Sequence, residues 1–198
     1  MRDVDNTKLV STLNPDYMGF IFWKKSSRYF NNQIIELPKT IKKTGVFVDS
    51  PIEDLKNCII KHKLKAVQLH GKETPEYCRL ISGLGIEIIK SFNLNSSFNF
   101  KDLNYYEKCC DFYLFDTYGK LPGGNGKSFD WEILDNYPYK KPFFLSGGIG
   151  IEEINKIHKL LKTSLPIYAI DVNSKFESKP GLKKIDKLTQ FKRKLYEL

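Results

Sequence analysis

Short runs that are apolar almost throughout, each followed by an amphipathic stretch, recur along this sequence, and few folds accommodate that alternation. The runs are Met18–Phe22, Gly45–Val48, Ala66–Leu69, Glu87–Lys90, Phe112–Phe115, Phe143–Ser146 and Ile167–Ile170. A strand with one wet face alternates apolar and polar residues, so runs without alternation mark parallel strands covered on both faces. Between them, Pro51–Lys63 carries Ile52, Leu55, Ile59 and Ile60 behind Ser50, which reads as an N-cap. Thr74–Ser82 opens on Thr-Pro and a glutamate, and Ile151–Lys162 sets Ile154, Ile157, Leu160 and Leu161 on one helical face. Val4–Leu13 reads as a helix that leads through Asn14-Pro15 into the first run. Repeated strand–helix units predict an α/β fold with a parallel sheet. Seven strands and about eight helices, beginning with a helix, predict a (β/α)8 barrel whose first β-strand is missing from this chain. No linker or low-complexity tract divides residues 1–198, which read as a single domain.

Composition narrows the function classes. The chain has 198 residues, fewer than the ~250 typical of such barrels. With 41% hydrophobic and 28% charged residues it has the means to bury a core, which argues against disorder. No stretch approaches the ~20 apolar residues of a membrane span and no signal pattern opens the chain, so a cytoplasmic protein is expected. Cysteines 58, 78, 109 and 110 show neither CxxC nor Cys/His metal spacing, and reduced thiols with no bound metal are expected. The net charge of +9 gathers in Lys61–Lys65 and in the tail from Lys183 to Lys194. In that tail Ile185, Leu188, Phe191 and Leu195 recur at helical spacing, which describes an amphipathic helix with a solvated basic face. No aromatic–basic interleaving points to nucleic acid, whereas an anionic small molecule suits a basic protein.

In parallel barrels the working residues stand at the C-terminal strand ends and in the loops that follow. That rule selects Arg28 after the first run, Gln68 and His70 at the third, Asp116 at the fifth, Ser146-Gly147-Gly148 at the sixth and Asp171-Val-Asn173-Ser174-Lys175 at the seventh. Gly147-Gly148 lies between a strand and the helix expected near Ile151. Glycines there let backbone N–H groups approach an anion at a helix N-terminus. Such a turn is also a common tight connection; the polar segment at the next strand end favours a phosphate site. Asp116 reads equally as a loop organiser or as a catalytic acid with a carboxyl raised by burial. Arg28 is either a surface charge or a planar fork for a carboxylate. His70 and Gln68 read as structural or as pocket-lining.

Taken in order, Lys25-Ser-Ser-Arg28-Tyr29, Gly45-Val-Phe-Val48, Val67-Gln-Leu-His70-Gly71, Phe115-Asp116-Thr117, Gly123-Gly-Asn-Gly-Lys-Ser-Phe-Asp130-Trp131, Leu145-Ser-Gly-Gly148 and Asp171-Val-Asn-Ser174 resemble the phosphoribosylanthranilate isomerases along essentially the whole chain. The resemblance implies a TIM barrel of the ribulose-phosphate-binding type. It also implies a cofactor-free Amadori rearrangement of N-(5-phosphoribosyl)anthranilate to the 1-deoxyribulose isomer, in tryptophan biosynthesis. Carried over by motif, Asp116 is the general acid, Arg28 holds the anthranilate carboxylate, and Gly147, Gly148, Asn173 and Ser174 bind the phosphate. Gln68 and His70 line the pocket. The family's general base is a cysteine in a Lys-x-Cys-Gly motif at the end of the first strand, and Met1 aligns just after that motif. The expectation is therefore little isomerase activity from these residues alone, with a catalytically impaired phosphosugar-binding barrel as the alternative. The expected partner is a phosphorylated small molecule, neither nucleic acid nor membrane, for a monomer or homodimer. Lys175 stands where a glycine is commoner, and either replaces close backbone approach with a charge or points to solvent.

Overall fold

A computed structural model describes residues 1–116 and 131–197. All seven apolar runs are strands: β1 (Tyr17–Ile21), β2 (Lys42–Phe47), β3 (Ala66–Leu69), β4 (Glu87–Asn93), β5 (Phe112–Asp116), β6 (Phe143–Ser146) and β7 (Ile167–Ile170). They pair in chain order, every neighbour parallel, in one sheet of the (β/α)-barrel type. Ala66, Ile89, Leu114 and Phe144 pack on the inner face with Tyr17 of β1 and Ala169 of β7, so the sheet curls until its two ends share a core. Among the described residues the barrel is not closed by a strand ladder: β1 ladders only to β2, and β7 only to β6. What bridges the seam is aromatic. Tyr168 lies 4.4 Å from Phe112 and 6.4 Å from Tyr17, centroid to centroid. A register shift between Phe143 and Phe144 on β6 places Tyr168 as the extra residue of β7, and such a bulge re-aims a side chain. Tyr168 remains 51% exposed.

The outer face of the sheet carries the main core. Phe20, Phe47, Leu69, Ile88, Tyr113, Phe115, Phe143 and Leu145 project from the strands onto Leu55, Cys78, Ile81, Leu103, Leu134, Ile157 and Phe191. Each such residue, fully buried, contributes roughly 1.5–3 kcal/mol of transfer free energy. The covering helices are α1 (Val4–Ser11), α2 (Ile52–His62), α3 (Pro75–Ser82), α4 (Ile154–Leu161) and α5 (Ile185–Tyr196), the last being the basic amphipathic tail. α3 starts as read, with Pro75 in the first turn and the Thr74 hydroxyl accepting from Tyr77 N at 3.2 Å. Ser50 does not cap α2; Pro51 takes the cap position without a side-chain bond, and Ser50 Oγ turns to the Pro51 carbonyl.

The ring of about eight helices is thinner than expected. After β4 and around Trp131 the described residues form 3-10 turns, Phe100–Tyr106 and Trp131–Asn136. Aromatic packing explains the first: Phe92, Phe98, Phe100 and Tyr106 stack edge to face in a compact wedge that a regular helix would spread apart. A short antiparallel hairpin, β8 (Glu177–Lys179) and β9 (Leu182–Lys183), follows β7 and turns at Gly181, whose φ of 83° suits glycine.

Candidate active site

The C-terminal strand ends converge on one rim, and hydrogen bonds cross it. Gln68 on β3 is 7% exposed although polar. Its Oε1 meets His70 Nε2 at 3.0 Å, and its side chain also hydrogen-bonds Asp171 beyond the end of β7. An amide oxygen only accepts, so the imidazole proton lies on Nε2 and Gln68 presents its N–H to Asp171. Burial, with help from the Lys90 ammonium, pulls the His70 pKa down to about 4 and keeps the ring neutral. Asp171 moves the other way. Burial raises its carboxyl first and the neighbouring charge of Asp116 adds to that, while Lys183 and Gln68 oppose. Asp171 thus feels the charge of Asp116, which stands at the end of β5 in register with Ser146 on β6.

The loop carrying His70 is fastened from beneath. Lys90 on β4 is 3% exposed, and its ammonium bonds the carbonyls of Leu69 (3.1 Å), Gly71 (2.9 Å) and Ser91 (3.1 Å) and Glu73 Oε2 (3.1 Å). Glu73 Oε1 accepts from Asp49 N and Gly71 N. A buried charge is tolerated only when paired and saturated with hydrogen bonds, and this one is both.

On the opposite side of the rim Arg28 is not an unattached fork. Its Nε and Nη2 reach Glu177 Oε2 at 2.8 and 2.6 Å. Lys183 bonds Glu177 Oε1 at 3.0 Å, and the Asn173 side-chain oxygen and carbonyl at 2.6 and 3.1 Å. The amino group of Met1 donates to the Gly19 carbonyl on β1. Its pKa drops to about 5 through burial first, then Lys183, with Glu177 and Asp171 opposing. Gly147 and Gly148 at the end of β6 have φ of 95° and 65°, conformations that side chains resist. The next strand end presents Asn173 and Ser174, both exposed, and Lys175 also points outward.

The helix after Gly148 opens with a 3-10 turn, Ile151–Glu153, and Glu153 folds its carboxylate back onto Gly150 N at 2.6 Å. The helix end therefore carries its own anion.

The structure brings together Gln68, His70, Asp116, Gly147, Gly148, Asn173 and Ser174 on the rim, with Arg28 joined to Asn173 through Glu177 and Lys183. The segment Gly123–Asp130 lies outside the described residues. Sequence reasoning missed Glu73, Lys90, Glu177 and Lys183; Phe-Glu-Ser-Lys reads as an ordinary solvated loop, and nothing local marks its glutamate. All four cysteines are free, and burial raises Cys78 and Cys110 to about 12, far from thiolate. Cys109 and Cys110 stand just before β5, at the rim away from Asp116.

The family described as N-(5'-phosphoribosyl)anthranilate (PRA) isomerase matches residues 2–194. The chain belongs to the phosphoribosylanthranilate isomerase family. An isomerase of that name from Parabacteroides distasonis is 40% identical over 96% of this chain and 88% of its own length. The crystal structure of the isomerase from Thermus thermophilus superposes with a TM-score of 0.81 at 25% identity, covering 98% of this chain and 94% of its own. A second phosphoribosylanthranilate isomerase, crystallised with reduced 1-(o-carboxyphenylamino)-1-deoxyribulose 5-phosphate, gives 0.79 at 28% identity over 100% of this chain and 96% of its own. Among the described residues no helix is long and apolar enough to cross a membrane.

Proposed function

We propose that this chain carries the family reaction: the Amadori rearrangement of N-(5-phosphoribosyl)anthranilate to 1-(2-carboxyphenylamino)-1-deoxyribulose 5-phosphate, on a single barrel domain. The observation that carries the reading is the rim itself, where Asp116, the hydrogen-bonded Gln68 and Asp171, Arg28 and the glycine turn all stand at or just beyond the C-terminal strand ends. Asp116 protonates the ribose ring oxygen and opens the sugar to a Schiff base. Asp171 is fixed by its hydrogen bond to Gln68. Arg28 takes the anthranilate carboxylate on the edge turned away from Glu177, and Gly147, Gly148, Asn173 and Ser174 bind the phosphate. Because Glu153 already occupies the end of the helix, the phosphate meets the 147–148 turn and not the helix terminus. Gln68 and neutral His70 line and polarise the pocket without exchanging charge.

Completion of the rearrangement needs a base at the sugar C2. None of the four cysteines in residues 1–198 lies in a Lys-x-Cys-Gly motif. A cysteine held in the family's Lys-x-Cys-Gly motif is the group the resemblance assigns to that step.

The test is a fluorescence assay of residues 1–198 beside a form extended at its start by a strand that carries a Lys-x-Cys-Gly motif. The expected result is turnover at least about 100-fold higher in the extended form, the scale of a lost general base. Asp116→Asn in the extended form should cost a similar factor in kcat with little change in product affinity. Equal turnover in the two lengths would remove the assigned base. Binding of the reduced product without turnover in either form would favour the impaired phosphosugar-binding barrel.

A further inference from the structure

The carboxylate of Glu177 stands between the two anion-binding ends of the rim and bonds to groups that serve both. Oε2 takes both bonds from Arg28, at 2.8 and 2.6 Å; Oε1 takes Lys183 at 3.0 Å and Gly181 N at 3.1 Å. Lys183 then spends its other bonds on Asn173, at the side-chain oxygen (2.6 Å) and the carbonyl (3.1 Å). One side chain thereby ties the loop after β1, the β8–β9 hairpin and the loop after β7 into a rigid frame. We propose that Glu177 is a positioning residue that couples the carboxylate-binding end of the site to its phosphate-binding end. A ligand anionic at both ends then meets a preset spacing. The inference rests on the roles given above to Arg28 and Asn173.

Charge and burial favour this over a simple loop staple. The Glu177 side chain is 4% exposed and that of Lys183 9%, so neither is a screened surface charge. Two cations share the Glu177 carboxylate, and Lys183 also feels the carboxylate of Asp171. Burial works to raise the Glu177 carboxyl, but Arg28 and Lys183 more than reverse that and keep it ionised. A staple needs one cation; here the second is turned onto Asn173. The hairpin itself is anchored independently, because Asn6 bonds the backbone N and O of Lys183 at 2.7 and 2.8 Å. Frames held before the ligand arrives spare the ligand the cost of ordering them.

Calorimetric titration of the full chain with three probes tests the coupling: the reduced product, anthranilate alone and ribose 5-phosphate alone. Glu177→Gln keeps the shape and removes the charge; it should weaken the reduced product about tenfold or more, and weaken both fragments. Lys183→Met frees Asn173 but leaves Arg28 on Glu177; it should weaken ribose 5-phosphate while anthranilate stays within about twofold. A Glu177→Gln protein that binds the reduced product within twofold of the parent overturns the proposal, and so does a Lys183→Met protein that loses both fragments equally. If thermal melting shows Glu177→Gln unfolded, the Lys183→Met comparison decides by itself. Should the parent bind none of the three probes, the isomerase reading falls, an outcome distinct from a parent that binds and variants that do not differ.

Discussion

A histidine that stays uncharged below neutrality can donate from one ring nitrogen and accept at the other, and His70 is held in that state. Burial dominates, and the Lys90 ammonium beneath the loop adds to it. The consequence for stability has a definite sign. In the unfolded chain the ring takes up its proton near 6.5, in the folded chain only near 4, so between these values the unfolded state binds more protons. Stability should therefore fall as pH drops through that window, by up to about 3 kcal/mol from this group, and level off below it. Urea denaturation across the window checks this: His70→Gln should flatten the slope, and an unchanged slope would assign it to other groups. Gln68 and His70 were legible in the sequence because strand-end position and motif both selected them. Asp171 was visible only as one letter of a segment. Its pairing with Gln68 depends on β3 and β7 facing each other across the barrel, which no local pattern encodes.

Elements show the same division. Strand runs and helix faces follow from apolar spacing, since burial on one face or two leaves a period in the chain. The β8–β9 hairpin left no such trace, because its residues are short-range polar and are held by contacts far away in sequence. Chief among these is Asn6 on α1, which is 6% exposed and pairs with both backbone groups of Lys183. Asn6→Ala would strand a part-buried N–H and C=O together. The expected loss is about 2–3 kcal/mol, read by chemical denaturation, well above the cost of an ordinary surface substitution. A loss under about 0.5 kcal/mol would mean that water replaces the clamp. The 3-10 turn at Phe100–Tyr106 was not legible either: aromatic side chains favour several elements alike, and their mutual packing chose among them.

For the whole molecule the open seam is the dominant feature. Among the described residues β1 and β7 each have one ladder partner, while β2 to β6 have two. Edge amides open by local fluctuation more easily than amides laddered on both sides. Hydrogen exchange should be at least about 100-fold faster in β7 than in β4, and comparable protection would show the seam covered in solution. The sequence by itself determined the seven parallel strands in order, the burial of most of them on both faces and the rim that bears Asp116, His70 and the glycine turn. Those follow from hydrophobic period and from the rule that strand C-termini share one end of a barrel. Only the tertiary structure decided that Arg28 is held by Glu177, that Lys183 reaches Asn173, and that the seam closes on tyrosine rings without a ladder. These are contacts between segments distant in the chain, and their energies come from desolvation and geometry that exist only once the sheet has curled.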